Sequence, residues 1–141
     1  MRKYLWGTAL IALLLAGCTP LPLTPEDIQA RKFESVPDKA AIYIVRATKD
    51  SKQVGSLLLD DTGPISTYRN AYYRWEVAPG KHRIAGFAGE NAVITLDTEP
   101  GKLYFVEHTV MGGWKTGVTF TFLNRIDEQR GRSMVLNSLS N

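Results

Sequence analysis

Cysteine and histidine are scarce in this chain. Its 141 residues include one Cys, Cys18, and two His, His82 and His108. A lone cysteine excludes an internal disulfide framework and a multi-cysteine zinc site. An excess of one charge sign is also lacking, because 17 Lys and Arg stand against 14 Asp and Glu for a net +3. That surplus is too small for a nucleic-acid footprint unless the basic residues cluster strongly. The GxSxG elbow, the HExxH helix and the P-loop are all missing. The conspicuous apolar run, Leu5 to Leu15, is shorter than the about 20 residues that span a bilayer. What is present is a hydrophobic content of 44%, which excludes wholesale disorder. The length fits one domain with a short appendage.

The N-terminus carries the strongest local pattern. Arg2 and Lys3 form a positive n-region, Leu5 to Leu15 an h-region, and Ala16-Gly17 supply the small residues expected before a cleavage site. Leu15-Ala16-Gly17-Cys18 resembles the lipobox of bacterial lipoproteins. The resemblance implies cleavage before Cys18 and acylation of its thiol, so that membrane contact runs through acyl chains on Cys18. Two or three chains anchor firmly, since each buried CH₂ contributes about 0.8 kcal/mol. An ordinary signal peptide with a stray cysteine is the competing reading. Thr19, rather than Asp, follows the cysteine. In the sorting pattern of such lipoproteins this implies the outer membrane, with the domain facing the periplasm. Removing Arg2 and Lys3 leaves 15 basic residues against 14 acidic ones, and the basic surplus all but disappears.

The chain accordingly divides into a signal peptide over 1–17, a lipidated cysteine and tether over 18–38, and a folded domain over 39–141. Pro20 and Pro22 favour an extended spacer. Thr24-Pro25-Glu26-Asp27 reads as a helix start with Thr24 as N-cap. The resulting stub reaches to about Phe33, and it serves either as a stalk or as part of a disordered tether. Beyond it, strands are expected at 40–47, 54–59, 65–68, 72–77, 82–87, 92–97, 103–111 and 118–123, from β-branched and aromatic enrichment bounded by turn signals. Tyr72 to Val77 alternates, with Tyr73, Trp75 and Val77 on one side and Tyr72, Arg74 and Glu76 on the other. Ala78-Pro79-Gly80-Lys81 and Glu99-Pro100-Gly101-Lys102 suit type II turns and read as two hairpins. Asp127 starts a short C-terminal helix to about Leu136, which Gly131 weakens. The expected fold is all-β: an antiparallel β-sandwich of seven to eight short strands with a helix stub before it and a short helix after it.

The opening strand Ala40-Ala41-Ile42-Tyr43-Ile44-Val45-Arg46 and the two Pro-Gly-Lys turns resemble the DUF2846 lipoproteins, short secreted bacterial proteins of unknown function. The resemblance spans about Lys39 to Leu136. It implies a carboxypeptidase-regulatory-like or PEGA-like β-sandwich and brings no catalytic residues. That family often shows a Val-Asp-Gly turn where this chain has Asp60-Asp61-Thr62-Gly63-Pro64.

No catalytic set, metal site or cofactor follows from the residues. His82 reads as packed near its hairpin base. His108 and Glu107 point to opposite faces of their strand. Trp114 and Lys115, in the glycine-rich stretch 112–117, form a candidate recognition loop for protein, glycan or lipid headgroup, with a Trp folded over the domain end as the alternative. Tyr68, Tyr72 and Arg74 form a second candidate binding surface, with a plain solvent-facing sheet as the alternative. The functional expectation is a membrane-anchored, non-enzymatic binding or structural module of the bacterial envelope, whose partner is another envelope protein or a glycan and not nucleic acid. A glycan- or peptidoglycan-binding domain and a metal-dependent hydrolase are the alternatives.

Overall fold

The structure, a computed structural model, describes residues 22–112, 115 and 117–139. The signal peptide, the lipobox residues Leu15, Ala16 and Gly17, Cys18 and Trp114 lie outside the described residues.

Helix α1 spans Pro25–Ala30. Thr24 caps it, its hydroxyl accepting the Asp27 amide at 3.1 Å, and Pro25 fills the first turn where no amide is required. Eight strands follow: β1 (Ala40–Val45), β2 (Gly55–Leu59), β3 (Pro64–Thr67), β4 (Tyr72–Val77), β5 (Gly80–Gly86), β6 (Val93–Thr98), β7 (Leu103–Gly112) and β8 (Thr119–Ile126). Helix α2 (Glu128–Leu136) starts at Asp127, whose carboxylate accepts the Arg130 amide at 2.9 Å. The chain is thus mostly β, in two four-stranded sheets ordered β4-β1-β7-β8 and β3-β2-β5-β6.

Both sheets contribute to one apolar core. Ala40, Ile42 and Ile44 of β1 meet Leu57, Leu59, Ile84 and Leu96 of the other sheet, with Val106 and Leu123 alongside. The opposite face of β1 presents Ala41, Tyr43 and Val45 to a second cluster with Ala30, Phe33, Phe105 and Val135. Every residue of β1 is therefore buried, which explains its continuous apolar run: a central strand covered on both faces does not alternate. The helices form the third layer. Arg31 joins them by donating to Val135 O and Leu136 O, each at 3.0 Å, and to Ser138 O at 3.1 Å, which are carbonyls at the end of α2. Its Nε pairs with Asp27 at 3.1 Å.

Two expectations need correction. The sheets are not purely antiparallel, because β1 and β7 run parallel, with Ile44 opposite Val106. Nor are the two Pro-Gly-Lys segments hairpins. β4 and β5 lie in different sheets, as do β6 and β7, so both segments carry the chain across the core. A turn sequence specifies a reversal, not the strand the chain pairs with next. The reversal at 99–102 closes with Lys102 N to Glu99 O at 3.4 Å and Gly101 at φ +72°, as a type II turn requires. At 78–81 the Ala78 carbonyl instead accepts the His82 ring at 2.7 Å. The helix stub expected after the spacer is α1, which contributes Ala30, with Phe33 following it, to the second cluster. In the β2–β3 turn Asp60 and Asp61 stand at φ +49° and +56°, with Thr62 N on Leu59 O at 3.0 Å. This is a type I′ pattern that Asp tolerates.

Gly131 has a packing role that helix propensity does not show. A Cβ there would stand 2.3 Å from the Phe105 ring. Gly131→Ala is expected to lower the unfolding free energy by about 1–3 kcal/mol through overpacking, against the helix-propensity gain. Urea unfolding checks this; an unchanged or raised midpoint would contradict it.

Candidate functional site

Arg46 follows β1 directly and is 2% exposed. Its Nε pairs with Asp50 at 2.7 Å, Nη1 donates to Gln53 O and Thr67 O at 2.9 and 2.8 Å, and Nη2 donates to Ser51 O at 2.8 Å. A guanidinium with this many fixed acceptors ties the 46–53 loop to the end of β3. Asp50 in turn accepts the Val110 amide of β7 at 3.1 Å. His108 lies fully buried beside this pair, its Nδ1 on Thr67 Oγ1 at 2.9 Å. Among the described residues its Nε2 meets no hydrogen-bond partner. Burial pushes the His108 ring down to about 4, with the Arg46 charge adding to the effect and Asp50 opposing it. The imidazole is neutral at neutral pH and built into the structure.

Above this cluster, β3 and β4 are the edge strands of their sheets on one side of the molecule. Between them runs a groove of about 360 Å³ lined by Ile44, Thr67, Tyr68, Ala71, Tyr72 and Tyr73. Tyr68 is 55% exposed at its rim. Tyr72 forms part of the wall but is buried, its hydroxyl donating to the Asp27 carboxylate under α1. Burial and that carboxylate push the Tyr72 phenol above its ordinary range.

The sequence candidates separate accordingly. Tyr68 and Tyr72 share the groove. Arg74 lies on the helix-covered face, donating to the Tyr43 hydroxyl at 3.1 Å and pairing with Glu76, so the three do not form one solvent-facing surface. Docking of α1 on β4 is the reason. Lys115 is exposed in the β7–β8 connection, and Trp114 beside it is outside the described residues.

His82 sits near the start of β5, with Nδ1 on Asp60 at 2.7 Å and its ring edge on Trp75 at 5.4 Å between centroids. Burial raises the Asp60 carboxyl, but hydrogen bonds from His82 and the Arg83 amide outweigh it and hold that carboxyl below its ordinary value. The two histidines share no partner. Among the described residues no three His, Cys, Asp or Glu side chains group to hold a metal ion.

None of Arg46, Asp50 and Tyr73 stands out in the sequence as a site residue, although Arg46 belongs to the opening-strand motif and Tyr73 to the alternation of 72–77. One available signal was an arginine directly after Ile42-Tyr43-Ile44-Val45, because a charge ending a fully buried strand needs partners. No family model matches the sequence, and no curated protein is significantly similar to it.

Two outcomes follow. Arg46→Met leaves the Asp50 carboxylate buried and unpaired, at a cost of about 3–5 kcal/mol. Adding Asp50→Asn is expected to recover part of that loss in the same urea titration, and a double variant no better than the single contradicts the pairing. For His108, an unfolded ring takes up a proton near 6.5 and the folded ring only near 4. The unfolded state therefore binds more protons between those values. Its contribution to stability is complete above pH 6.5 and is lost as pH falls toward 4. Unfolding measured across that window should lose up to about 1.4 kcal/mol per pH unit relative to His108→Leu. Parallel curves for the two proteins would contradict this.

Proposed function

We propose that the chain is a lipid-anchored lipoprotein of the bacterial envelope, and that its two sheets form a β-sandwich serving as a non-catalytic binding module. The lipobox resemblance of Leu15-Ala16-Gly17-Cys18 supports acylation at Cys18, and Thr19 supports the outer membrane with the domain toward the periplasm. The resemblance to the DUF2846 lipoproteins supports the same kind of anchored β domain.

The observation that carries the binding reading is the tyrosine-lined groove between β3 and β4. Among the described residues each of those strands has a neighbour on one side only, so an extended segment of another envelope protein can add along an edge. Tyrosine suits the task, since its ring is rigid and apolar while its hydroxyl bonds. In this mechanism the acyl chains hold the module at the membrane and the groove receives the partner. A glycan is the second reading, favoured by the exposed Tyr68 ring at the groove mouth.

Three experiments test these readings. Cys18→Ala is expected to abolish palmitate incorporation and release the protein from the membrane fraction; persistent labelling contradicts the anchor. A photo-crosslinker at position 68 should capture a protein partner in whole cells that one at position 102, on the far turn, does not. Equal capture sinks the groove. Co-sedimentation with peptidoglycan that Tyr68→Ala abolishes would instead favour the glycan.

A further inference from the structure

Strand β7 outruns its neighbour β1. Val45, the last residue of β1, pairs with Glu107, and β7 continues to Gly112, paired with Thr119 of β8. At about 3.3 Å per residue the β7–β8 hairpin projects about 16 Å beyond β1. Met111 and Phe120 face each other across this projection and are 55% and 47% exposed. Phe87, at the adjoining end of β5, is 67% exposed, and Val54, just before β2, is also exposed. Gly86 and Gly55 stand against Thr121 and Val110 of the hairpin, so Phe87 and Val54, one residue away, lie level with its base on the outer side of the second sheet, while Met111 and Phe120 lie on the outer side of the first. The turns at the opposite end, 59–64, 78–81 and 99–102, carry no exposed large apolar side chain.

The charges around this end favour an anionic partner. Exposed Lys49 and Lys52 lie on the 46–53 loop, and Lys49 borders the same hollow as Met111. Arg69 is exposed on the turn between β3 and β4. Of the acidic groups nearby among the described residues, Asp50 is held against Arg46, Asp27 against Arg31 and Glu107 against Arg130, which leaves Glu26 at the start of α1 and Glu90 on the β5–β6 connection against Lys49, Lys52 and Arg69. Apolar side chains ringed by Lys and Arg match the headgroup and acyl boundary of an anionic bilayer.

We propose that this end of the domain docks on an anionic phospholipid surface as a second membrane contact, resting on the Cys18 anchor proposed above. Chain length gives the independent support. Asp27 of α1 bonds Tyr72, which pairs with Val45, so α1 begins level with the end of β1. The stretch from Cys18 to Thr24 spans at most about 20 Å. That reach matches the projection of the hairpin. An acylated Cys18 therefore keeps the domain close enough for the hairpin end to meet the membrane, with the Pro-Gly turns pointing away.

The test uses the full acylated protein on vesicles of phosphatidylethanolamine and phosphatidylglycerol. Phe120→Cys and Lys81→Cys variants each carry a nitrobenzoxadiazole label. At position 120 the emission is expected to shift to the blue and to be lost when the lipids carry brominated chains, while the label at 81 stays unchanged. Phe120 and Lys81 are both exposed, and urea unfolding verifies that each variant folds. A label at 120 that reports water on anchored protein overturns this docking surface alone. A Cys18 that reacts with maleimide in the unsubstituted protein removes the anchor, and the docking surface with it.

Discussion

A buried guanidinium organises the end of this molecule that carries its candidate functions. Arg46 leaves β1 where the strand's apolar run stops, and removing its charge from water is unfavourable unless every neighbour answers it. Asp50 and three backbone carbonyls do so. The 46–53 loop consequently folds back along β7, which extends past β1 and needs a partner for Val110. The same contact holds the end of β3, and with it one wall of the tyrosine groove. His108 fills the space beneath, neutral because burial disfavours its charge.

Around that point the layers divide the work. The face shared by the sheets is aliphatic, with Ile42, Leu57, Ile84 and Val106 at its centre. The face under the helices is aromatic and polar at its margin. Tyr43 stacks on Phe105 with centroids 5.1 Å apart and donates its hydroxyl to Ala30 O at 2.7 Å. Arg31 closes α2 from α1. The helices stop short of the hairpin end, so Met111 and Phe120 of the same sheet face remain open to solvent.

Much of the β domain is legible in the residues. Strand positions follow from alternation and turn chemistry, as Trp75 and Val77 on the core side of β4 and Tyr72 and Arg74 on the helix side demonstrate. Caps are local events, and Thr24 and Asp127 act as their residue types predict. Partner choice is a different matter. Pro79-Gly80 and Pro100-Gly101 look like hairpin turns, yet whether the next strand pairs in the same sheet or crosses the core depends on contacts far along the chain. The parallel β1–β7 pair joins segments about 60 residues apart by the type of long-range closure that no local window contains. The groove was half visible, because Tyr68 and Tyr72 stood out as aromatic while the burial of Tyr72 depends on where α1 docks. Arg46 was visible only as a motif position.

The claim on which the rest turns is that Arg46 and Asp50 fasten the 46–53 loop to β7. Amide hydrogen exchange at Val110 tests it most directly, because that amide donates to Asp50 rather than to a neighbouring strand. Protection comparable to that of Ile44 and Val106 in the core strands is expected. Exchange at Val110 as fast as at an exposed loop amide, with the core still protected, would contradict it.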